Sequence, residues 1–403
     1  VAVLVDNVEP PIGLCWTARV SLIGWKGQRE GEDLTSLTSK IGLMKNTVKK
    51  FVRQSEDLVL NTRRLRHPAF IFSVSSFETQ ISPAKTLELL NTFPPAAVLA
   101  SAYDVLGMAD GSTDVTPSDE VLKQLESKNT VIFLDSGNYE AHRFENSWWP
   151  RNPWLLKEAA NRLRCDVVFS HDKLVDVPSA TSANQEQLVE QVLSEVARDE
   201  KNLSGAAVSP IVHAPRLPDR SYVSFFLPEV CFHVAKTKRP PLIAVAEREL
   251  GDGILERARR VRSIRRALNR LDFFQPLHIL GTGNPLSMLI LAFAGGDVFD
   301  GLEWCRTVVD GGTMRLHHFH HFDLFASQRS RIADELLREY LENKDEILTA
   351  KAKAVLHNLY FFSQFVAELQ QAHQQDAYKE MFDRYLPGEF SRVAKRIDVD
   401  ANE

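Results

Sequence analysis

Several polar residues stand where a short apolar run gives way to a loop. Asp135 closes VIFLD and leads LDSGNYE, Asp172 follows DVVFS in FSHDK, and His213 follows AVSPIV in PIVHAP. Glu247 follows LIAVA, and Asp300 closes GDVFD in GDVFDGLEWCR. Carboxylates gathered at one mouth repel and raise each other's pKa, so such a ring is hard to explain as stability. Two of them on opposite sides of a small mouth suit chemistry at an anomeric carbon. One acts as nucleophile or cation stabiliser while the other handles protons. Each residue alone has a plainer reading. An Asp at a strand end is a preferred helix N-cap, and Asp135-Ser136-Gly137 reads equally as a tight turn into a helix. Order and placement together carry the signal.

To face one another these residues need elements that end at a common mouth. FIFSV (70–74), AVLAS (97–101), VIFLD (131–135), DVVFS (166–170), AVSPIV (207–212), LIAVA (242–246), LHILG (277–281) and GDVFD (296–300) are short and largely apolar. Parallel strands buried on both faces look like this. Helix-period stretches lie between them, for example Leu255, Ala258, Val261, Ile264, Leu268 and Leu271. The alternation predicts an α/β fold, a (β/α)8 TIM barrel over 66–325, whose functional residues gather at the C-terminal strand ends. A doubly wound open sheet is the structural rival. Residues 1–65 read as an N-terminal extension, with strands around Cys15 to Ile23 and a basic cluster at Arg63, Arg64 and Arg66. Residues 326–403 read as a C-terminal helical region with an acidic tail.

Composition bounds the rest. A chain of 403 residues, 44% hydrophobic and 25% charged, excludes disorder, collagen and coiled coil as the main architecture. No apolar run reaches about eighteen residues, so no membrane span is expected. The opening VAVLVDNVEPP lacks the pattern of a secretion signal. Four scattered cysteines (Cys15, Cys165, Cys231, Cys305) signal neither a disulfide framework nor a CxxC metal knuckle, and a reducing cytoplasm is expected. A net charge of −5 argues against a wholly basic nucleic-acid binder but leaves room for a local basic patch.

Several segments, in order, resemble the guanine transglycosylase superfamily, the queuine and archaeosine tRNA-ribosyltransferases and their DNA-modifying relatives. PAFIFSV resembles the first barrel strand and VLASAYDVL the second. LDSGNYE resembles the Asp-Ser-Gly-Gly-Phe-Gln motif, FSHDK the base-recognition segment and PIVHAP the Ile-Val-Gln-Gly strand. ILGTGNPLSMLILAFAGGDVFDGLEWCR resembles the block that ends in the nucleophilic aspartate, and LHNLYFF the His-Asn-Leu helix. The resemblance covers about 65 to 370. It implies a pentosyltransferase that replaces guanine in a nucleic acid by a 7-deazaguanine base. Asp300 would attack C1′, and Asp135 would be the general acid/base. Asp172, Ser136, His213, Glu140 and Glu247 would lie around the base, with Tyr139 stacked on it. Arg306 would contact phosphate or orient the site. The target base must be single-stranded or flipped out.

The departures bear on substrate. His213 stands where the family has a base-recognising Gln, Ala246 and Glu247 replace a Gly-Gly pair, and Tyr139 and Glu140 replace Phe-Gln. The family's Cys-x-Cys-x-x-Cys zinc motif is absent from the matching stretch, Gln328 to Ala333. Zinc is therefore not expected to be required. Among LHHFHHFD and the helix beyond, His318, His320 and His357 are the metal candidates, against a reading as solvent-facing or nucleic-acid-facing histidines. Arginines crowd 257–270, and Arg259, Arg262 and Arg266 read either as phosphate contacts or as the polar face of an outer helix. Trp148, Trp149 and Trp154 read either as a base-stacking lid or as a packed cluster. The missing zinc motif and the lack of a clear RNA-binding module tilt the expectation to DNA over tRNA, with a partner protein to open the duplex. Hydrolysis on the same barrel and a non-catalytic partner subunit are the rival functions.

Overall fold

The structure, a computed structural model, describes residues 57–60, 62–77, 79–109, 116–203, 205–342 and 348–398. The chain divides into Val1–Phe51 and Val52–Glu403, and the described residues belong to the second unit. The strands expected around Cys15 to Ile23 lie outside them.

Eight parallel strands form the sheet: β1 (Ala69–Val74), β2 (Ala97–Ser101), β3 (Val131–Asp135), β4 (Val167–Phe169), β5 (Ala207–Ser209), β6 (Ile243–Ala246), β7 (Leu277–Leu280) and β8 (Val298–Gly301). Their order is β5-β4-β3-β2-β1-β8-β7-β6. The two ends meet where Ile211 bridges Ala244, with the Val212 N–H on the Ala244 carbonyl at 2.8 Å and the Ala244 N–H on the Pro210 carbonyl at 3.0 Å. The sheet is thus nearly closed into a (β/α)8 barrel, and the open-sheet rival is set aside. β5 is shorter than AVSPIV suggests because Pro210 has no N–H to give the ladder.

Helices α1 (Pro83–Thr92), α2 (Asp119–Glu126), α3 (Trp154–Arg162), α4 (Ser182–Asn202), α5 (Leu227–Lys238), α6 (Ile254–Leu268) and α7 (Pro285–Ala294) alternate with the strands. Local signals start them. Asn284 caps α7 by accepting from the Leu286 and Ser287 amides, with Pro285 in the first turn. After β8 the chain leaves the repeat through a small hairpin and a 3₁₀ stretch, Phe319–Arg331. It returns as α8 (Ala350–Gln375), which sets Phe362 against Phe70 of β1 at 5.3 Å. Buried Asn358 pins α8 to the segment that follows β8: its Oδ1 accepts from the Val309 amide, and its Nδ2 donates to the Trp304 and Thr307 carbonyls.

Beneath the barrel, Leu58, Leu60 and Leu65 of a two-stranded hairpin pack on Ala69, Val131 and Val298. Those are the N-terminal strand ends, so Arg63, Arg64 and Arg66 sit on the face away from the mouth. Arg63 is paired there with Asp166 at 2.9 Å. Among the described residues no helix is long and apolar enough to cross a membrane.

Candidate active site

Strand pleating places the chemistry. Successive side chains alternate between the barrel interior and the helices. Ile71, Leu99, Phe133, Phe169, Ala244 and Val298 fill the interior, while Phe70, Phe72, Val98, Ile132 and Phe299 pack outward. Two residues beyond an interior position the next side chain points inward again. That step leads from Ile71 to Ser73, from Phe133 to Asp135, from Ile211 to His213 and from Val298 to Asp300. The apolar layers fill the barrel and the last inward layer is polar.

Asp300 is buried at the end of β8 and held by three partners. Ser73 Oγ donates to Oδ2 at 2.9 Å, the Gly281 amide donates to Oδ1 at 2.9 Å, and His278 Nε2 lies 3.0 Å from Oδ1. Three strands, β1, β7 and β8, therefore fix one carboxylate. His278 is wholly buried, with its ring 5.4 Å from that of Phe169 in the barrel interior.

Asp135 ends β3 and caps its own loop, accepting from the Gly137 amide at 3.1 Å. Gly137 has φ +81, and a Cβ there would meet the Tyr103 amide nitrogen at 2.7 Å, so a side chain is excluded twice over. Burial, then the charges of Asp172 and Glu140, push the Asp135 carboxyl up to about 8. Behind it Glu140 accepts from Ser75 Oγ at 2.6 Å and Ser101 Oγ at 2.8 Å. Burial and the neighbouring Asp104 raise Glu140 to about 7, and burial raises Asp104 to about 6.

Asp172 has the opposite environment. Its Oδ1 accepts from Ser136 Oγ at 2.7 Å and Asn138 Nδ2 at 2.9 Å, and its Oδ2 meets His213 Nε2 at 2.7 Å. The other ring nitrogen, His213 Nδ1, meets Glu249 Oε1 at 2.8 Å, while Glu249 Oε2 accepts from the Ala214 amide at 2.9 Å. Burial works against charge on both Asp172 and His213. It is outweighed at Asp172 by the hydrogen bond and charge of His213, and at His213 by the charge and hydrogen bonds of Glu249 and Asp172. Asp172 is held well below the carboxylate range and His213 well above the usual imidazole value. The group is an anion–cation–anion row across β4, β5 and β6.

No family model matches the chain. Over 299 residues it is 23% identical to the tRNA-guanine(15) transglycosylase of Pyrococcus abyssi (strain GE5 / Orsay), an overlap of 67% of this chain and 48% of that protein. It is 24% identical to the protein of the same name from Thermococcus onnurineus (strain NA1) and 23% identical to that from Thermococcus kodakarensis, covering 60% of this chain and 40% of each. These distant likenesses point the same way as the motifs, to the guanine transglycosylase superfamily. It spans less than half the length of these curated relatives.

The remaining candidates divide into those at the barrel mouth and those away from it. Tyr139 packs edge-on to Phe77, with the Arg143 guanidinium 5.3 Å from its ring centre. Arg306 donates to the Phe77 carbonyl at 2.8 Å and to the Tyr139 hydroxyl at 3.2 Å, so it braces the Tyr139 wall. Glu247 turns to Arg257 of α6 at 2.8 Å, while Glu249, two residues on, faces His213. Arg259 and Arg262 lie on the outer ring, donating to the Arg396 and Phe293 carbonyls, and Arg266 lies on the same helix. Arg265 of that helix is buried in an ion pair with Asp297 below the mouth.

The metal candidates do not converge. His357 is buried among Phe322, Phe325 and Phe361, with Nε2 on the Val309 carbonyl at 2.9 Å, and burial pushes it down to about 4. His318 and His320 are exposed, their rings 4.6 Å apart. Among the described residues no group of three or more His, Cys, Asp or Glu could hold a metal ion. Where the superfamily has its zinc cysteines, Gln328 ties the hairpin by hydrogen bonds, donating to Asp310 at 2.6 Å and accepting from the Gly311 amide at 2.8 Å. These donors do not fit zinc.

Sequence reasoning passed over Ser73, His278, Glu249 and Asp104. A histidine inside the apolar run LHILG was the available signal for His278. Glu249 had none, because two glutamates flank Arg248 and only the turn decides which one faces inward.

Proposed function

We propose that the chain is a pentosyltransferase that exchanges guanine in a nucleic acid for a 7-deazaguanine base through a covalent aspartyl–glycosyl intermediate. The observation that carries this reading is the different setting of two inward carboxyls: Asp300 locked by three partners at the end of β8, and Asp135 at the end of β3 pushed up to about 8 by burial and its acidic neighbours. An oxygen of Asp300 attacks C1′ of an exposed nucleotide. The C1′–N9 bond breaks, its electron pair leaves with guanine, and guanine takes the proton of Asp135. The incoming base then gives its N9 proton to Asp135, N9 bonds C1′, and Asp300 departs. As written the exchange needs no cofactor.

Asp172 supplies an acceptor for the N–H edge of guanine through Oδ2, which has a lone pair beyond its His213 contact, whereas Ser136 and Asn138 occupy both of those on Oδ1. His213 stands where the superfamily has an amide; both its ring N–H groups are taken, by Asp172 and by Glu249, so it holds the Asp172 carboxylate in place. Ser136 and Asn138 fix the carboxylate. The whole mouth reads as base recognition on one side and sugar chemistry on the other.

For the polymer we propose DNA, supported by the replaced cysteine stretch; the names of the relatives support tRNA as the second reading. The outer placement of Arg259 and Arg262 lends DNA no support. A partner protein that opens the duplex, and a cytoplasmic location in keeping with buried free Cys165, Cys231 and Cys305, complete the proposal. The test offers labelled guanine with plasmid DNA, single-stranded DNA and bulk tRNA in parallel. Label in DNA that vanishes in Asp300→Asn supports the reading. Label confined to tRNA overturns the polymer, and base release without incorporation makes the protein a hydrolase.

A further inference from the structure

We propose that Trp148 and Trp154 form a stacking platform for the unpaired nucleobases that flank the target nucleotide; the proposal rests on the nucleic-acid reading above. Both indoles are large apolar groups facing solvent, Trp148 47% and Trp154 55% exposed, and Phe144 of the same segment is 40% exposed. Isolated exposed side chains need no explanation, but an aromatic group gathered on one loop marks a binding surface. This loop runs from the end of β3 to the start of α3, so it rises from the strand that carries Asp135.

The display is built. Asn146 Oδ1 accepts from the Trp148 and Trp149 amides, both at 3.1 Å. Asn152 Nδ2 donates to the Trp148 carbonyl at 2.8 Å, and Asn152 Oδ1 accepts from Trp154 Nε1 at 3.1 Å. One asparagine thus ties both indole-bearing residues together, and Trp154, its N–H already used, has its π-faces left to offer. Trp149 is the anchor. It is buried, and its Nε1 donates to the Ser136 carbonyl at 3.1 Å, next to Asp135. The platform and the acid/base are therefore connected through two residues.

The surroundings select the occupant. On the same segment Arg143, Arg151 and Lys157 are exposed, as are Glu145 and Glu158, and the Arg143 guanidinium lies 5.3 Å from the Tyr139 ring centre. Flat aromatic faces on a segment that also exposes three cations fit unstacked bases on a phosphate strand better than an apolar protein face. Chemistry on a base demands that the strand be open at that point, so neighbouring bases also lose their stacking partners. The platform replaces what those neighbours lose.

The test measures anisotropy of fluorescein-labelled oligo(dT) and oligo(rU), which contain no guanine and so report binding without exchange. Wild-type protein should bind, and Trp148→Ala and Trp154→Ala should each weaken binding about fivefold or more. Trp154→Phe should retain most of the affinity, because a stacking face remains. The two oligomers show whether the strand is DNA or RNA. Alanine variants that fold and bind like wild type overturn the platform, as does a wild type that binds neither oligomer. Sedimentation in which wild type self-associates and the alanine variants do not would make the patch a contact between copies and also overturn it. Failure of labelled-guanine incorporation would move none of these readings.

Discussion

Asp135 and Asp172 stand at the ends of adjacent strands, yet they are driven in opposite directions. Asp135 has one backbone donor and is pushed up to about 8, while Asp172 has two neutral side-chain donors and a buried imidazolium and is held low. The difference lies in partners and not in depth, since burial opposes charge at both. One side of the mouth keeps a proton available and the other keeps a charge available. The proposed division into acid and acceptor rests on these two environments, which separate two like groups.

The comparison breaks most completely at its third member. Asp300→Asn keeps the shape and the Ser73 contact but removes the proposed nucleophile, and exchange should fall by several orders of magnitude. Residual exchange near wild type in a guanine-incorporation assay would place the nucleophile elsewhere. Asp135→Asn should cost on the order of 10² to 10⁴-fold in rate while leaving binding of the polymer intact. In wild type, guanine release should slow as pH rises through about 8, because the acid loses its proton there. A release rate flat up to pH about 9.5 would exclude Asp135 as that acid.

Glu249→Gln sharpens the other half. With one anion gone, His213 should lose its proton at lower pH, and KM for the incoming base should rise on the order of 10 to 100-fold with kcat much less affected. An unchanged KM would reduce Glu249 to a cap on the Ala214 amide. Glu140→Gln is the gentlest perturbation. It removes a like charge from Asp135, so the alkaline limb of guanine release should move to lower pH by less than about one unit. It also tests linkage. Glu140 binds its proton more tightly folded, at about 7 against an ordinary 4.5, so its contribution to stability is full below 4.5 and lost as pH rises to about 7. Thermal melts of the Gln variant should show a shallower decline over that interval.

Much of this was legible because a barrel strand is buried on both faces and so announces itself as an unbroken apolar run. VIFLD and AVLAS match β3 and β2 end to end. Asp300 and Asp135 stood out as charges at the ends of such runs. What the sequence hid was the direction of side chains after the strand stops. Glu247 and Glu249 flank one arginine, and a 3₁₀ turn sends the first to α6 and the second to His213. Arginine density at 257–270 left phosphate contact and an outer polar helix face both open, and density does not say that Arg265 is buried on Asp297 while Arg257 holds Glu247. Glu140, matched to a base-binding position, has its carboxylate taken by Ser75 and Ser101.

The most direct measurement traps the intermediate. Wild-type protein is mixed with guanine-containing single-stranded DNA or tRNA without an incoming base, denatured, and resolved by mass. A protein–polymer adduct that has lost guanine, mapped to Asp300 and missing in Asp300→Asn, is the expected result. An adduct mapped to any other residue, or guanine exchange that proceeds undiminished in Asp300→Asn, would contradict it.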